Sequence, residues 1–178
     1  MGHEVTGIDL SAGMLEKAKH DAENLGLEID FFHGDVENLS FEDSSFDLVV
    51  SKFLLWTLPK PSCAISEWKR VLKPKGRIFA IDGDWFDPRP NRRIKRKISE
   101  WTGRLVKKNH NSLIFKNYYG SIRDFLPLYD KISPENGLFL FSQNGLVNTA
   151  ANPLLEIQKL KKIGNPSRRD FLGLTLFF

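Results

Sequence analysis

The sequence predicts an α/β fold built on an open, mostly parallel sheet. Short apolar segments alternate with stretches of helical periodicity from Glu4 to Asp82, the grammar of strands joined by helical crossovers. Phe46 to Ser51 is almost unbroken in its hydrophobicity, as in a strand covered on both faces. The length, 178 residues with 41% hydrophobic, suits one domain with a real core.

Each element has its own local signal. Glu4 to Leu10 reads as a short strand ending in the acid Asp9. Ser11 is placed as an N-cap, and Met14, Leu15, Ala18, Ala22 and Leu25 recur at helical spacing, with Glu16, Lys17, Lys19 and Glu23 on the wet side. Leu25-Gly26 stops that helix. Glu28 to Phe32 has strand propensity, and His33-Gly34-Asp35 turns the chain. Asp43-Ser44-Ser45 introduces the strand Phe46 to Ser51. Pro61 suits the first turn of the next helix, whose Ala64, Ile65, Trp68, Val71 and Leu72 form one apolar face. Lys73-Pro74-Lys75-Gly76 ends it, and Arg77 to Asp82 returns as a strand.

Beyond Asp82 the rhythm changes. Trp85 to Asn91 reads as a proline-punctuated loop, and Arg92 to Lys108 as a basic helical stretch. Gly120 to Tyr129 is a short amphipathic segment, and Pro134 to Gln143 a helix stopped by Asn144-Gly145. Leu146 to Ala151 and Phe171 to Phe178 are expected to pair as C-terminal strands, separated by an amphipathic stretch from Leu154 to Ile163.

Composition narrows the function. A single cysteine, Cys63, excludes an internal disulfide framework and a multi-cysteine zinc site, and its neighbours Ala64 and Ile65 suggest a core thiol. No apolar run reaches about 18 residues, so no membrane span is expected. Met1 leads directly into a strand-like segment with no secretion signal, which makes the cytoplasm the expected location. Charge is divided unevenly: residues 1–87 hold 9 Lys or Arg against 16 Asp or Glu, whereas residues 88–178 hold 17 against 6. Nine basic residues lie between Arg89 and Lys108, with Glu100 the only acid among them. Such a stretch serves as solvated helix surface or attracts anionic partners.

An acid at the carboxyl end of a strand lies on the rim where open sheets bind ligands. Asp9 is placed to accept hydrogen bonds from two vicinal hydroxyls, because an ionised carboxylate accepts at both oxygens. Asp35 follows the next strand on the same rim. The pair suits a nucleoside, one acid at the sugar and the other at the base. A dehydrogenase would use a similar first acid.

Four segments carry a family resemblance. Gly2-His3-Glu4-Val5-Thr6-Gly7-Ile8-Asp9-Leu10-Ser11, followed by Met14-Leu15, looks like the second-strand motif of class I S-adenosylmethionine-dependent methyltransferases. Gly34-Asp35-Val36-Glu37-Asn38-Leu39-Ser40-Phe41 resembles their adenine-contacting segment. Phe46-Asp47-Leu48-Val49-Val50-Ser51 is similar to their fourth strand. Glu67 to Arg77 resembles their post-helix signature, with Lys75 standing where the family often has glycine.

The resemblance implies an incomplete Rossmann-like methyltransferase sheet with a helical insertion and C-terminal strands, and S-adenosylmethionine as cofactor. In it Asp9 would hold the ribose hydroxyls, with Leu10 and Met14 lining the pocket. Asp35 would accept from the adenine amino group and the Val36 amide would meet a ring nitrogen. Ser51 and Phe53 would cover the methionine moiety. Trp56, Asp84 and Trp85 are the substrate-side candidates, the aromatics as walls for an apolar acceptor or a cationic sulfonium. Asp84, His33 and His110 are the candidate bases, needed only where the acceptor must lose a proton; no catalytic residue is assigned. No metal is expected.

The family's glycine-rich loop and first strand have no counterpart in this sequence. Glycines there let the backbone approach the cofactor's methionine end. The first strand is central in such a sheet, so its absence is expected to expose two ladder edges and the apolar face of a missing helix, edges that a protein partner could complete. The chain by itself is therefore expected to bind the cofactor weakly or not at all. The organisation is one partial domain over 1–178, with residues 1–83 as cofactor-binding core and 84–178 as a helical and C-terminal substrate-side region. The expected function is methyl transfer to a small organic acceptor. The alternatives are a nucleic-acid methyltransferase docking through Arg89 to Lys108, and a non-enzymatic remnant completed by a partner.

Overall fold

The computed structural model describes residues 2–83, 118–131, 133–153 and 172–176. Strand β1 (Thr6–Asp9) leads into helix α1 (Ala12–Asn24), then β2 (Asp30–His33) and β3 (Phe46–Lys52). A 3-10 turn at Leu55–Thr57 precedes α2 (Pro61–Val71) and β4 (Leu72–Asp82). Past a helical turn at 118–121 and a 3-10 turn at Arg123–Phe125 come α3 (Pro134–Gln143), β5 (Thr149–Pro153) and β6 (Leu172–Leu176).

Strand β1 runs parallel to β2, pairing Thr6 with Asp30 and Asp9 with His33. In a second sheet, ordered β3-β4-β6-β5, β3 and β4 are parallel and the C-terminal strands antiparallel. This is the α/β methyltransferase-type sheet that the sequence predicts, and its C-terminal strands pair as expected. Among the described residues no strand joins the two sheets, so β1 and β3 are both edge strands.

Local chemistry accounts for the elements. The Ser11 hydroxyl accepts from the Met14 amide at 3.3 Å and caps α1. At its other end Leu27 N–H reaches the Ala22 carbonyl and Gly26 N–H that of Glu23, a Schellman closure for which Gly26 takes φ 62°. Pro61 opens α2 and Pro134 opens α3, where its missing N–H costs nothing. Ser133 caps α3 by accepting from Asn136 N–H.

Strand β4 departs from expectation. It begins at Leu72, directly after α2, and takes in the segment expected to be a turn. The register passes from Phe46 opposite Leu72 to Leu48 opposite Arg77, two residues on β3 against five on β4. Lys75 at this irregularity is left-handed, with φ 69°. A Cβ on Gly76 would stand 2.8 Å from the Lys73 carbonyl oxygen and 2.9 Å from the Leu72 side chain, so the bend requires glycine there.

The core lies on one side of the larger sheet. Ala64, Ile65, Trp68 and Leu72 meet Ile78 and Ala80 of β4, and Phe141 and Leu146 close over them. Burying a side chain such as Ile65 stabilises by about 1.5–3 kcal/mol. Cys63 corrects the expectation of a core thiol: it is exposed. At about 3.6 residues per turn, position 63 points away from the stripe centred on Ala64 and Trp68.

The opposite side is less covered. Only Leu15 and Ala22 of α1 are buried, while Met14, Leu25, Leu48 and Val50 are exposed. Trp85 to Asn91, the basic stretch Arg92 to Lys108 and Leu154 to Ile163 lie outside the described residues.

Candidate cofactor and acceptor site

The carboxyl ends of β1 and β2 form one rim. Gly34 N–H donates to the Asp9 carbonyl at 3.2 Å, and His33 Nε2 donates to the Leu10 carbonyl at 2.9 Å. His33 thus ties the β2 end to the turn after β1, which is the turn role its sequence context suits. Two glycines permit this closeness. A Cβ on Gly7 would lie 2.8 Å from the Phe31 ring, and one on Gly34 would lie 2.9 Å from Ile8 Cδ1.

Both rim acids are oriented by their own backbones. Asp9 Oδ1 accepts from Ser11 N–H at 2.8 Å, and Asp35 Oδ1 accepts from Glu37 N–H at 2.8 Å. The second oxygen of each makes no hydrogen bond to a described residue, and each carboxylate keeps acceptor capacity. Leu10 and Met14 stand exposed beside Asp9; Val36 is half-buried and packs against the core.

The segment after Asp35 is held down by a clamp. Arg70 donates to the Leu39 carbonyl at 2.9 Å, the Phe41 carbonyl at 2.8 Å and Asp43 at 2.7 Å. Glu67 grips the same guanidinium at 2.8 and 2.9 Å and accepts from Leu39 N–H at 2.9 Å. The Arg70 hydrogen bond is the main reason the Glu67 carboxyl lies below its ordinary range, with burial opposing it. Glu37 adds a link by accepting from Lys60 N–H. Sequence reasoning placed Glu67 and Arg70 in a motif without seeing this role, since their partners lie about 30 residues away in a segment with no periodic signal.

The second rim belongs to β3 and β4. Ser51 is buried opposite Ala80, and Phe53 N–H donates to the Ile81 carbonyl at 2.7 Å. Phe53 is left-handed with φ 57°, a conformation that a bulky side chain adopts only under constraint. Asp82 ends β4 with a buried carboxylate that accepts from Gly83 N–H at 2.8 Å.

Trp56 is expected to form a substrate wall, yet only 3% of it is exposed. Its ring packs on Tyr119 at 4.7 Å and on Tyr129 at 6.2 Å. Burial raises the Tyr119 phenol above its ordinary range, and Tyr118 and Asp9 add to the rise, so Tyr119 lies within electrostatic reach of the first rim. No sequence signal marks Tyr119. Asp84, Trp85 and His110 lie outside the described residues.

An α/β chain with an acid after each of two parallel strands on one rim is what the resemblance to class I methyltransferases implies, and comparison with known proteins bears on it. Residues 1–80 match the family described as methyltransferase domain. A demethylmenaquinone methyltransferase of Staphylococcus haemolyticus is 44% identical over 79 residues, covering 44% of this chain and 33% of that protein. One from Staphylococcus aureus is 42% identical over 79 residues, covering 44% and 32%. The chain thus spans about a third of the length of these curated relatives. Among solved structures, a SAM-dependent methyltransferase from Aquifex aeolicus aligns with TM-score 0.61 at 15% identity, covering 97% of this chain and 68% of that one. PH0226 protein from Pyrococcus horikoshii aligns with TM-score 0.60 at 19% identity, covering 99% and 73%. At these identities the structures speak for the fold. The chain has the class I S-adenosylmethionine-dependent methyltransferase fold, which implies S-adenosylmethionine as the cofactor to be fitted.

The residues present suit the nucleoside half of that cofactor. Asp9 and Asp35 keep free acceptor oxygens on a rim closed tightly by Gly7 and Gly34. For the methionine half the chain offers Ser51 and the constrained Phe53, with no glycine-rich loop in its sequence. Among the described residues no cluster could hold a metal ion, and no helix is long and apolar enough to cross a membrane.

Proposed function

We propose that this chain acts in S-adenosylmethionine-dependent methyl transfer to a small organic acceptor, with demethylmenaquinone, the acceptor in the relatives' names, the first to try. The observation that carries the reading is the juxtaposition of Asp9 and the Gly34-Asp35 turn on one rim, within the segment that matches those relatives. When bound, S-adenosylmethionine supplies an electrophilic methyl group. Asp9 holds the ribose hydroxyls while Leu10 and Met14 border the pocket. Asp35 and the Val36 amide read the adenine edge, and Ser51 and Phe53 cover the methionine end. The protein's share of the rate is alignment of the acceptor behind the carbon–sulfur bond. Asp84 and Trp85 complete the acceptor side in this reading, with Trp56 as support.

Titration calorimetry tests it. We expect binding of S-adenosylmethionine and no binding of NAD. Asp9→Ala should weaken the cofactor about tenfold or more, the scale of hydrogen bonds to a charged group. Binding of NAD instead, or binding of S-adenosylmethionine that Asp9→Ala leaves unchanged, overturns the reading.

A second reading, a non-enzymatic chain whose open strand edge pairs with a strand of a partner protein, is favoured by the separation of the described strands into two sheets. A stoichiometric complex that forms without cofactor binding would support it.

A further inference from the structure

Helix α2 begins without a cap of its own. Lys60 stands at its N-cap with no side-chain hydrogen bond to the helix, and Pro61 follows at the first helical position. A Glu or Gln three residues into a helix commonly reaches back to the N-cap N–H, but the residue there is Cys63. Glu37 supplies that bond from 23 residues earlier: its Oε1 accepts from Lys60 N–H at 2.6 Å. The backbone N–H of Glu37 donates to Asp35 Oδ1 at 2.8 Å, the bond that orients the rim acid. A single residue therefore joins the start of α2 to the Asp35 carboxylate. Further along, the same segment is fastened to the last part of α2, where Glu67 accepts from Leu39 N–H and Arg70 donates to the Leu39 and Phe41 carbonyls. The helix is itself anchored in the core by Ala64, Ile65 and Trp68.

We propose that Glu37 is a positioning residue for base recognition, holding the Asp35 carboxylate in the orientation in which it accepts from the adenine amino group. The proposal rests on the methyltransferase reading, in which Asp35 meets that amino group. An acceptor oxygen tells an amino group from a carbonyl at the same ring position best when it is fixed in direction, because hydrogen bonds weaken steeply as their angle closes. Asp35 is exposed, and its bond from Glu37 N–H is what limits the rotation of its carboxylate. Tying the Glu37 side chain to Lys60 N–H sets the backbone of residue 37, and so the direction of that N–H. The rigidity of α2 is passed in this way to the turn that reads the base, and Glu37 acts through Asp35 without touching the ligand.

The test is titration calorimetry of the full chain with S-adenosylhomocysteine and S-inosylhomocysteine, which differ in carrying an amino group or a carbonyl at one position of the base. The unaltered chain should prefer the adenosyl ligand, and Asp35→Ala should remove the preference. Glu37→Ala should reduce it by about threefold to tenfold, whereas Glu37→Gln, whose amide oxygen still accepts from Lys60 N–H, should keep it. In the Asp35→Ala background, Glu37→Ala should change the preference no further. If Glu37→Ala does not fold, Glu37→Asp, whose shorter side chain falls short of Lys60 N–H, should give the same loss. A preference unchanged in Glu37→Ala, even with both ligands weakened equally, or one lost as fully in Glu37→Gln, overturns the proposal and leaves the methyltransferase reading standing. A preference that is absent from the unaltered chain, or that Asp35→Ala leaves intact, removes Asp35 from the base and the proposal with it. A chain that binds neither ligand overturns the proposal as well.

Discussion

Lys75 holds a left-handed backbone with φ 69° at the irregularity in β4, where its Cβ is crowded against the backbone. Lys75→Gly should therefore stabilise the chain by about 1 kcal/mol in urea unfolding, with an unchanged m-value. A loss of stability would show that the lysine side chain contributes more than its backbone costs. The Glu67–Arg70 pair supplies a pH signature. Because the Glu67 pKa is lowered on folding, its contribution is present above the unfolded value, about 4.3, and disappears as pH falls through the depressed folded value. Glu67→Gln should flatten the acid limb of the melting temperature between those two values, and an acid limb identical to that of the unaltered chain would contradict this. Asp9 was legible at this scale only as an acid ending a strand, and its bond to Ser11 N–H is the local use that such an acid also has. Tyr119 was not, since a tyrosine in an aperiodic segment looks the same whether it faces water or a tryptophan about 60 residues earlier.

Elements were legible where a local signal marks their ends. Ser11, Gly26, Pro61, Ser133 and Pro134 each satisfy or remove a backbone group at a helix end, and α3 has the limits its sequence indicates. Ser11→Ala should cost about 1 kcal/mol in thermal unfolding, and a change below a few tenths would mean that the Asp9 bond to Ser11 N–H holds the helix start unaided. Strand β4 was misjudged at its start because a proline-glycine turn sequence was absorbed into an irregular ladder, an outcome that depends on β3 lying alongside. The outward Cys63 shows the same weakness on a helix: apolar neighbours in sequence do not share a helix face.

At the scale of the whole molecule, the absence among the described residues of a strand joining the sheets divides stability unequally. The β1–β2 pair has one hydrogen-bonded neighbour per strand, and a two-stranded ribbon is marginal on its own. Strand β4 lies between β3 and β6 and packs Ile78 and Ala80 into the core. In native-state hydrogen exchange, amides in the β1–β2 ladder should exchange through openings of clearly lower free energy than those at the centre of β4. Equal protection in both sheets would mean that the rim contacts and the Arg70 clamp bind them into one cooperative unit.

The sequence by itself determined the class of fold, the order of the elements and the placing of Asp9 and Asp35 after neighbouring strands, because periodicity, capping and the residue that ends a strand are properties of a few neighbouring positions. Only the tertiary structure decided that Trp56 lies beneath Tyr119, that Arg70 holds the segment after Asp35, and that Lys75 must turn left-handed. Each of these depends on groups brought together from distant parts of the chain, where packing and hydrogen-bond geometry choose among partners that sequence spacing leaves equivalent.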